Sequence, residues 1–523
     1  MRRALMGVCA ALAATAAGCM WASAPAERGW AGDQALPPGA LAAGPAQPPV
    51  PAEPGFLSAP PPPENAFREA TAEDQVSTFA VDVDTASYAL VKRFLRRQQL
   101  PPADVVRLEE MINAFDLDDP PPPGADHEAP FSTRVEVAGC PWRAGSRLVR
   151  VSLRGREVAA EARPASNLVF LIDVSGSMNT PERLPLVKQS LRLLVEQLRE
   201  QDRVAIVVYA GASGLVLPPT SGGDRGRILD AIERLQAGGS TNGGAGIQLA
   251  YRTAVEAFVP GGVNRVILCT DGDFNVGARS PAELERLIEE KRRSGVFLTC
   301  LGFGLWGGDR TMETLANKGN GHYAVIDDLR QARRALVEEL TGTLVTIAKD
   351  VKVQVAWNPA KVRRYRLLGY ENRLLAAEDF VDDRKDGGEI GAGHRVTALY
   401  EVEPVDGADP TADLLTLRLR WKAPDGEASV GVEQAARDTG TTFDDASTDL
   451  KFLASVAAGG MLLRRSPHAG EATIARALRW AEAGLGRDAR GDRSEWLELL
   501  RRAARVLGED TDHAALPARS GRG

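Results

Sequence analysis

Asp173-Val-Ser175-Gly-Ser177 closes the apolar run NLVFLIDVSGSMNT, residues 167–180. A carboxylate and two hydroxyls stand at alternate positions just past a strand-like segment. Alone, the triplet reads as a helix cap. Asp and Ser side chains accept the first free N–H groups of a helix, and a helical pattern follows. Two later stretches change that reading. Gly238-Gly239-Ser240-Thr241-Asn242 lies between two amphipathic segments, and Asp271-Gly-Asp273 ends the apolar run from Asn264 to Thr270. The oxygens of these three loops suit a hard divalent cation. Mg2+ takes oxygen ligands in near-octahedral geometry and keeps several waters. Ser175, Ser177 and Thr241 can offer neutral hydroxyls directly, and Asp173 and Asp271 can supply negative charge through bound waters. An ion held by neutral hydroxyls stays electrophilic. It seeks one further oxygen, best an Asp or Glu carboxylate of a partner protein.

The elements that must position these groups occupy residues 166–346. Five strand-like segments, NLVFLID, RVAIVVYAG, NRVILCTDG, VFLTCLGFG and HYAVID, alternate with amphipathic helical ones. The helical segments are LPLVKQSLRLLVEQL, DRGRILDAIERLQ, GIQLAYRTAVEAF, PAELERLIEEKRRSG, RTMETLANKGN and LRQARRALVEELTGTL, and LVLPPTSGG reads as a loop. Continuously apolar strands separated by helices imply an α/β fold. Its doubly wound, mostly parallel sheet is covered on both faces. Ligands of such sheets bind outside the carboxyl ends of the strands, where all three polar loops fall.

DVSGSM (173–178), GGSTN (238–242) and TDGD (270–273), each after the expected element, resemble the von Willebrand factor A domain and its metal-ion-dependent adhesion site. The resemblance implies a metal site of Asp173, Ser175, Ser177, Thr241 and Asp271, with Mg2+ as the ion and Mn2+ or Ca2+ as substitutes. DVDTASY (82–88), EEMINAF (109–115), CPW (140–142), YAGASGLVLPPTSG (209–222), STNGGAGI (240–247) and GYENR (369–373) extend it. They are similar to a bacterial family of A-domain lipoproteins with an N-terminal accessory region and a C-terminal domain of unknown function.

The chain of 523 residues has room for roughly three domains. It is 44% hydrophobic and 25% charged, as soluble globular material is. A net charge of −7 and 6% aromatics speak against nucleic-acid binding. Met1-Arg2-Arg3 and the apolar run to Ala17 read as a signal peptide, residues 1–18, too short to span a bilayer. Ala16-Ala17-Gly18-Cys19 resembles a lipobox with Ala16 in place of the usual Leu, so Cys19 is expected to carry the lipid. The linker that follows, to residue 63, is rich in Pro and Ala, and such linkers are semi-rigid spacers. Of five cysteines, Cys140, Cys269 and Cys300 remain, an odd number and no disulfide framework. Cys269 and Cys300 read as buried thiols.

Residues 64–127 are expected to form a small α+β accessory unit, with a strand and helix in STFAVDVDTASYALVKRFLRRQQ and a second helix over PPADVVRLEEMINAFD. Residues 128–165 and 347–425 alternate with period two and are expected to form two parts of one β-sandwich, into which the α/β domain is inserted. Residues 426–510 read as helical and 511–523 as a loose tail.

Three decoys weigh less. In FAVDVDTASY the spacing of Asp82, Asp84 and Ser87 is wrong for the metal loop, and Asp84 or Thr85 reads as a helix cap. Asp271-Gly-Asp273-Phe-Asn275 starts like a calcium loop but has Ala282 where the closing Glu belongs. The basic cluster Lys92, Arg93, Arg96 and Arg97 reads as a solvated helix face. No P-loop or nucleophile elbow is present, so neither nucleotide binding nor hydrolase chemistry is indicated. The expected protein is a metal-dependent binding or scaffolding module, not an enzyme, lipid-anchored at the bacterial cell envelope on the outer-membrane or periplasmic side. Its partner is a protein that offers a carboxylate. The competing readings are a metal-dependent enzyme or its regulatory subunit, a passive lipoprotein with an unused site, and plain secretion.

Overall fold

The computed structural model describes residues 63–81, 84–122, 129–211, 213–239, 243–272, 281–304, 309–338, 345–385 and 387–509. Cys19, Thr241 and Asp273 lie outside these residues. Among the described residues no helix is long and apolar enough to cross a membrane.

The α/β domain carries a six-stranded sheet in the order Tyr323–Ile326, Phe297–Phe303, Val263–Thr270, Ser166–Asp173, Arg203–Tyr209, Ser213–Ser221. All neighbours are parallel except the last pair. Leu168, Phe170 and Ile172 point to one face, under helices Leu184–Val195, Arg225–Glu233 and Leu329–Arg333. Val169 and Leu171 point to the other, under Gly243–Glu256, Pro281–Arg292 and Asp309–Lys318. Burial on both faces is why the central strand is apolar without alternation. The stretch LVLPPTSGG, expected as a loop, is largely the antiparallel edge strand Ser213–Ser221. Pro218 and Pro219 are exposed there, and the pairing with Arg203–Tyr209 slips in register. An edge tolerates proline because it has one side free of ladder bonds.

Two antiparallel sheets form the sandwich. One runs Arg68–Glu69, Val362–Leu368, Arg395–Pro404, Arg147–Gly155, Phe131–Gly139. The other runs Leu374–Leu375, Val76–Ala80, Thr346–Trp357, Leu415–Lys422, Ser429–Ala436. The strands on either side of the α/β domain thus pair with one another, as an insertion requires. Ser429–Ala436 falls in a stretch expected to be helical. It is an exposed edge strand held by backbone pairing to Leu415–Lys422, and its alternating Val430 and Val432 are exposed rather than in the core.

Residues 64–127 do not form a unit of their own. Strand Val76–Ala80 pairs with Thr346–Trp357 inside the sandwich. Helix Ala86–Arg96 is buried on two sides: Ala86, Ala89 and Leu90 join the α/β core, while Tyr88, Val91 and Leu95 join the core of the C-terminal helices. One strand and two short helices have too little apolar area to close a core alone. The expected second helix starts late. Ala103–Val105 is a single 3-10 turn and the α-helix spans Leu108–Asn113. The Ser87 hydroxyl donates to the Val105 carbonyl at 2.6 Å and accepts from the Arg107 N–H at 2.9 Å, taking both out of a helical ladder. Lys92, expected on a wet face, is buried against Asp327 at 2.9 Å, Asp328 at 3.4 Å and Glu495 at 3.6 Å.

The C-terminal helices span Thr448–Arg464, Ile474–Ala483 and Asp492–Leu507. In the first, Gly459 and Gly460 allow close approach: a Cβ at 459 would lie 2.6 Å from the Trp496 ring, and one at 460 would lie 2.5 Å from Leu108. Cys140, Cys269 and Cys300 are buried free thiols, and burial pushes the Cys140 thiol up to about 12.

The α/β domain and the sandwich also meet through His322 and His394, whose ring centroids are 6.1 Å apart. Burial, with repulsion from Arg265 and His394, pushes the His322 imidazole down to about 3. An unfolded histidine titrates near 6.5. The neutral folded ring therefore contributes full stability above about pH 6.5, lost as the pH falls toward 3. His322→Gln is expected to flatten the dependence of urea stability on pH across this window. Identical slopes for wild type and variant would contradict this account.

Candidate metal centre

Strand Ser166–Asp173 pairs in parallel with Val263–Thr270, with Ile172 opposite Cys269. Both strands end at the same edge, so Asp173 and Asp271 become neighbours although 98 positions separate them in sequence. After Asp173 the chain crosses to Arg203–Tyr209 on one side, and Val263–Thr270 leads to Phe297–Phe303 on the other. This is the switch point of the sheet, where a crevice opens between diverging loops.

Asp173 is fully buried. One carboxylate oxygen accepts the Ser175 N–H at 2.8 Å and the other accepts the Thr270 hydroxyl at 3.3 Å. Burial pushes the Asp173 carboxyl up to about 6, against the lowering effect of the Ser175 backbone bond. The Ser175 and Ser177 hydroxyl oxygens are 3.0 Å apart. A short 3-10 turn, Gly176–Met178, follows directly, so no long helix is capped by this triplet. The loop is tied to its neighbour: the Gly176 N–H donates to the Gly239 carbonyl at 3.1 Å, and the Gly238 N–H to the Val174 carbonyl at 2.7 Å. These bonds hold the chain leading to Thr241 beside the two serines. Asp173, Ser175, Ser177 and Asp271 are thus brought together, and Thr241 is the expected member outside the described residues.

One participant is absent from the sequence reading. Arg183 donates to Asp271 Oδ2 at 2.6 Å and to the Ser177 carbonyl at 2.6 Å. Its signal was present. Arg183 sits at the N-cap of helix Leu184–Val195 and makes no side-chain cap bond. A cation at a helix N-terminus runs against the dipole, so another partner must account for it.

The residues fit a hard divalent ion. All donors are oxygens, two hydroxyls converge, and a carboxylate is buried behind them.

A second acidic group lies elsewhere. Asp84, Glu110 and Glu313 come within 4.8 Å of one another. Arginines accompany them: Arg373 meets Asp84 at 3.2 Å and Glu313 at 3.6 Å, and Arg107 pairs with Glu110. Asp84 also accepts the Tyr323 N–H at 3.1 Å, which corrects the helix-cap reading for this residue. At the Thr85 N-cap no side-chain cap bond forms. The motifs DVDTASY, EEMINAF and GYENR therefore meet in an ion network joining accessory segment, α/β domain and sandwich.

Fold and loops together define a von Willebrand factor A-domain protein. The von Willebrand factor type A domain family matches residues 167–339, a von Willebrand factor family matches 62–150, and the family described as uncharacterized protein YfbK, C-terminal, matches 342–506. The chain belongs to the YfbK family: it is 43% identical over 451 residues to the uncharacterized protein YfbK of Escherichia coli K12, covering 82% of this chain and 78% of that one. It is also 29% identical over 231 residues to human inter-alpha-trypsin inhibitor heavy chain H4, covering 42% of this chain and 25% of that protein. A solved von Willebrand factor type A protein from Catenulispora acidiphila aligns over 74% of this chain and 91% of its own at 18% identity, with a TM-score of 0.41.

Arg373→Ala is expected to cost about 3–5 kcal/mol in urea unfolding, because it leaves buried carboxylates undercompensated. A loss below about 1 kcal/mol, the scale of an exposed ion pair, would show that the network is not a structural tie.

Proposed function

We propose that the chain is a metal-dependent protein-binding module of the bacterial cell envelope, anchored through a lipid on Cys19. The observation that carries this reading is the buried Asp173 behind two hydroxyls 3.0 Å apart, with Asp271 just past the end of the adjoining strand. Ser175, Ser177 and Thr241 would hold the ion, Mg2+ by preference with Mn2+ or Ca2+ as substitutes, and Asp173 and Asp271 would act on it through waters. When bound, such an ion supplies an electrophilic position that a partner's Asp or Glu carboxylate completes. The residues themselves perform the rest. Asp173 orients Ser175 through its backbone N–H, and Thr270 holds the second Asp173 oxygen in place. The ties from Val174 and Gly176 to the Gly238-Gly239 segment keep the loops in register. A loop-built edge of this kind suits recognition of a surface.

Calorimetric titration of Mg2+ into the full chain is expected to show one site that Asp173→Ala removes. Partners captured from envelope extract are expected to elute with EDTA and to be missing with Asp173→Ala. Equal capture by both proteins with and without EDTA would sink metal-dependent recognition.

A further inference from the structure

We infer that Arg183 is an internal counter-cation of the metal site, and that divalent-ion binding is coupled to its release from Asp271. The inference rests on the metal-site reading above and deepens it.

Arg183 is held on several sides. Its guanidinium reaches three loops at the carboxyl edge of the sheet: the Ser177 carbonyl at 2.6 Å, Asp271 at 2.6 Å and the Gly304 carbonyl at 3.5 Å. Its hydrocarbon stem is seated as well. Gly304 has φ +59°, and a Cβ there would lie 2.8 Å from Arg183 Cγ. A side chain at 304 would push the arginine off the site, so the glycine serves the seat as well as the turn.

The seat puts a permanent positive charge next to a carboxylate that a cation needs. Asp271 cannot serve both fully. A salt-bridged carboxylate has its charge offset and its oxygen lone pairs directed at the guanidinium. A divalent ion nearby would also be repelled by the guanidinium, in surroundings of lower dielectric than water. Ion binding and the Arg183–Asp271 pair therefore oppose each other, and by linkage each weakens the other equally. The advantage is that the loops stay tied when no ion is present. Without the arginine, Asp173 and Asp271 would lie at one edge without this cation between the loops.

Arg183 also connects the site to the accessory segment. Arg93, on helix Ala86–Arg96, lies in the electrostatic range of both Glu182 and Arg183.

The test is titration of MnCl2 into the EDTA-stripped full chain. Arg183→Gln keeps length and hydrogen-bonding capacity but removes the charge. It is expected to bind Mn2+ roughly tenfold tighter than wild type, within the usual range for coupled sites. Arg183→Lys keeps a charge but loses the planar fork, and it is expected to tighten binding by less. A second readout separates release from simple repair of the fold: in EDTA the Arg183→Gln midpoint is lower than wild type, and Mn2+ raises it by more. If neither variant binds more tightly than wild type, the counter-cation role is overturned while the metal site stands. If wild type and both variants bind no Mn2+, or Asp173→Ala binds it equally well, the metal-site reading fails and the coupling with it.

Discussion

Parallel pairing of Ser166–Asp173 with Val263–Thr270 sets the position of the two carboxylates at the candidate centre. Parallel strands in register end together, so their last residues share one edge. Asp173 and Asp271 are neighbours for that reason alone. The chain then departs to opposite sides of the sheet, so the two loops diverge and leave a crevice. Moving the pairing by two residues would separate the carboxylates by about one pleat and dismantle the centre. The two cores on either face of the sheet hold that register.

The electrostatics of this edge follow from burial. Asp173 is buried away from bulk solvent, so its charge is costly unless something offsets it. The Ser175 N–H and the Thr270 hydroxyl supply part of that compensation. Arg183 supplies a full charge, but to Asp271, across the crevice. The candidate cation ligands and the groups that tie the loops are therefore the same few side chains.

The remainder of the molecule holds the inserted domain at its base and flanks. Helix Ala86–Arg96 is shared by two cores. Asp84, Arg107, Glu110, Glu313 and Arg373 join three regions, and Lys92 with Asp327, Asp328 and Glu495 joins the helix to the C-terminal helices. Buried ion clusters of this kind specify one arrangement more than they stabilise it, because their partners are costly to separate. The motifs DVDTASY, EEMINAF and GYENR belong to this welding.

The sequence by itself determined most strands and helices of the α/β domain and the insertion between two sets of alternating strands, and it named four candidate ligands, Asp173, Ser175, Ser177 and Asp271, that lie at one edge of the sheet. Each of these is written in local patterns: apolar runs of strand length, amphipathic spacing, and polar residues at loop starts. Tertiary structure alone decided what local pattern cannot carry. Ser213–Ser221 and Ser429–Ala436 are strands because a neighbouring edge offers backbone bonds, not because their side chains ask for a sheet. Lys92 is buried because acids from two distant segments surround it. His322 and His394, far apart in the chain, face each other where the domains meet. Arg183 joins the candidate centre because the ends of two strands and a glycine turn shape a seat for it, and that convergence exists only once the sheet has closed.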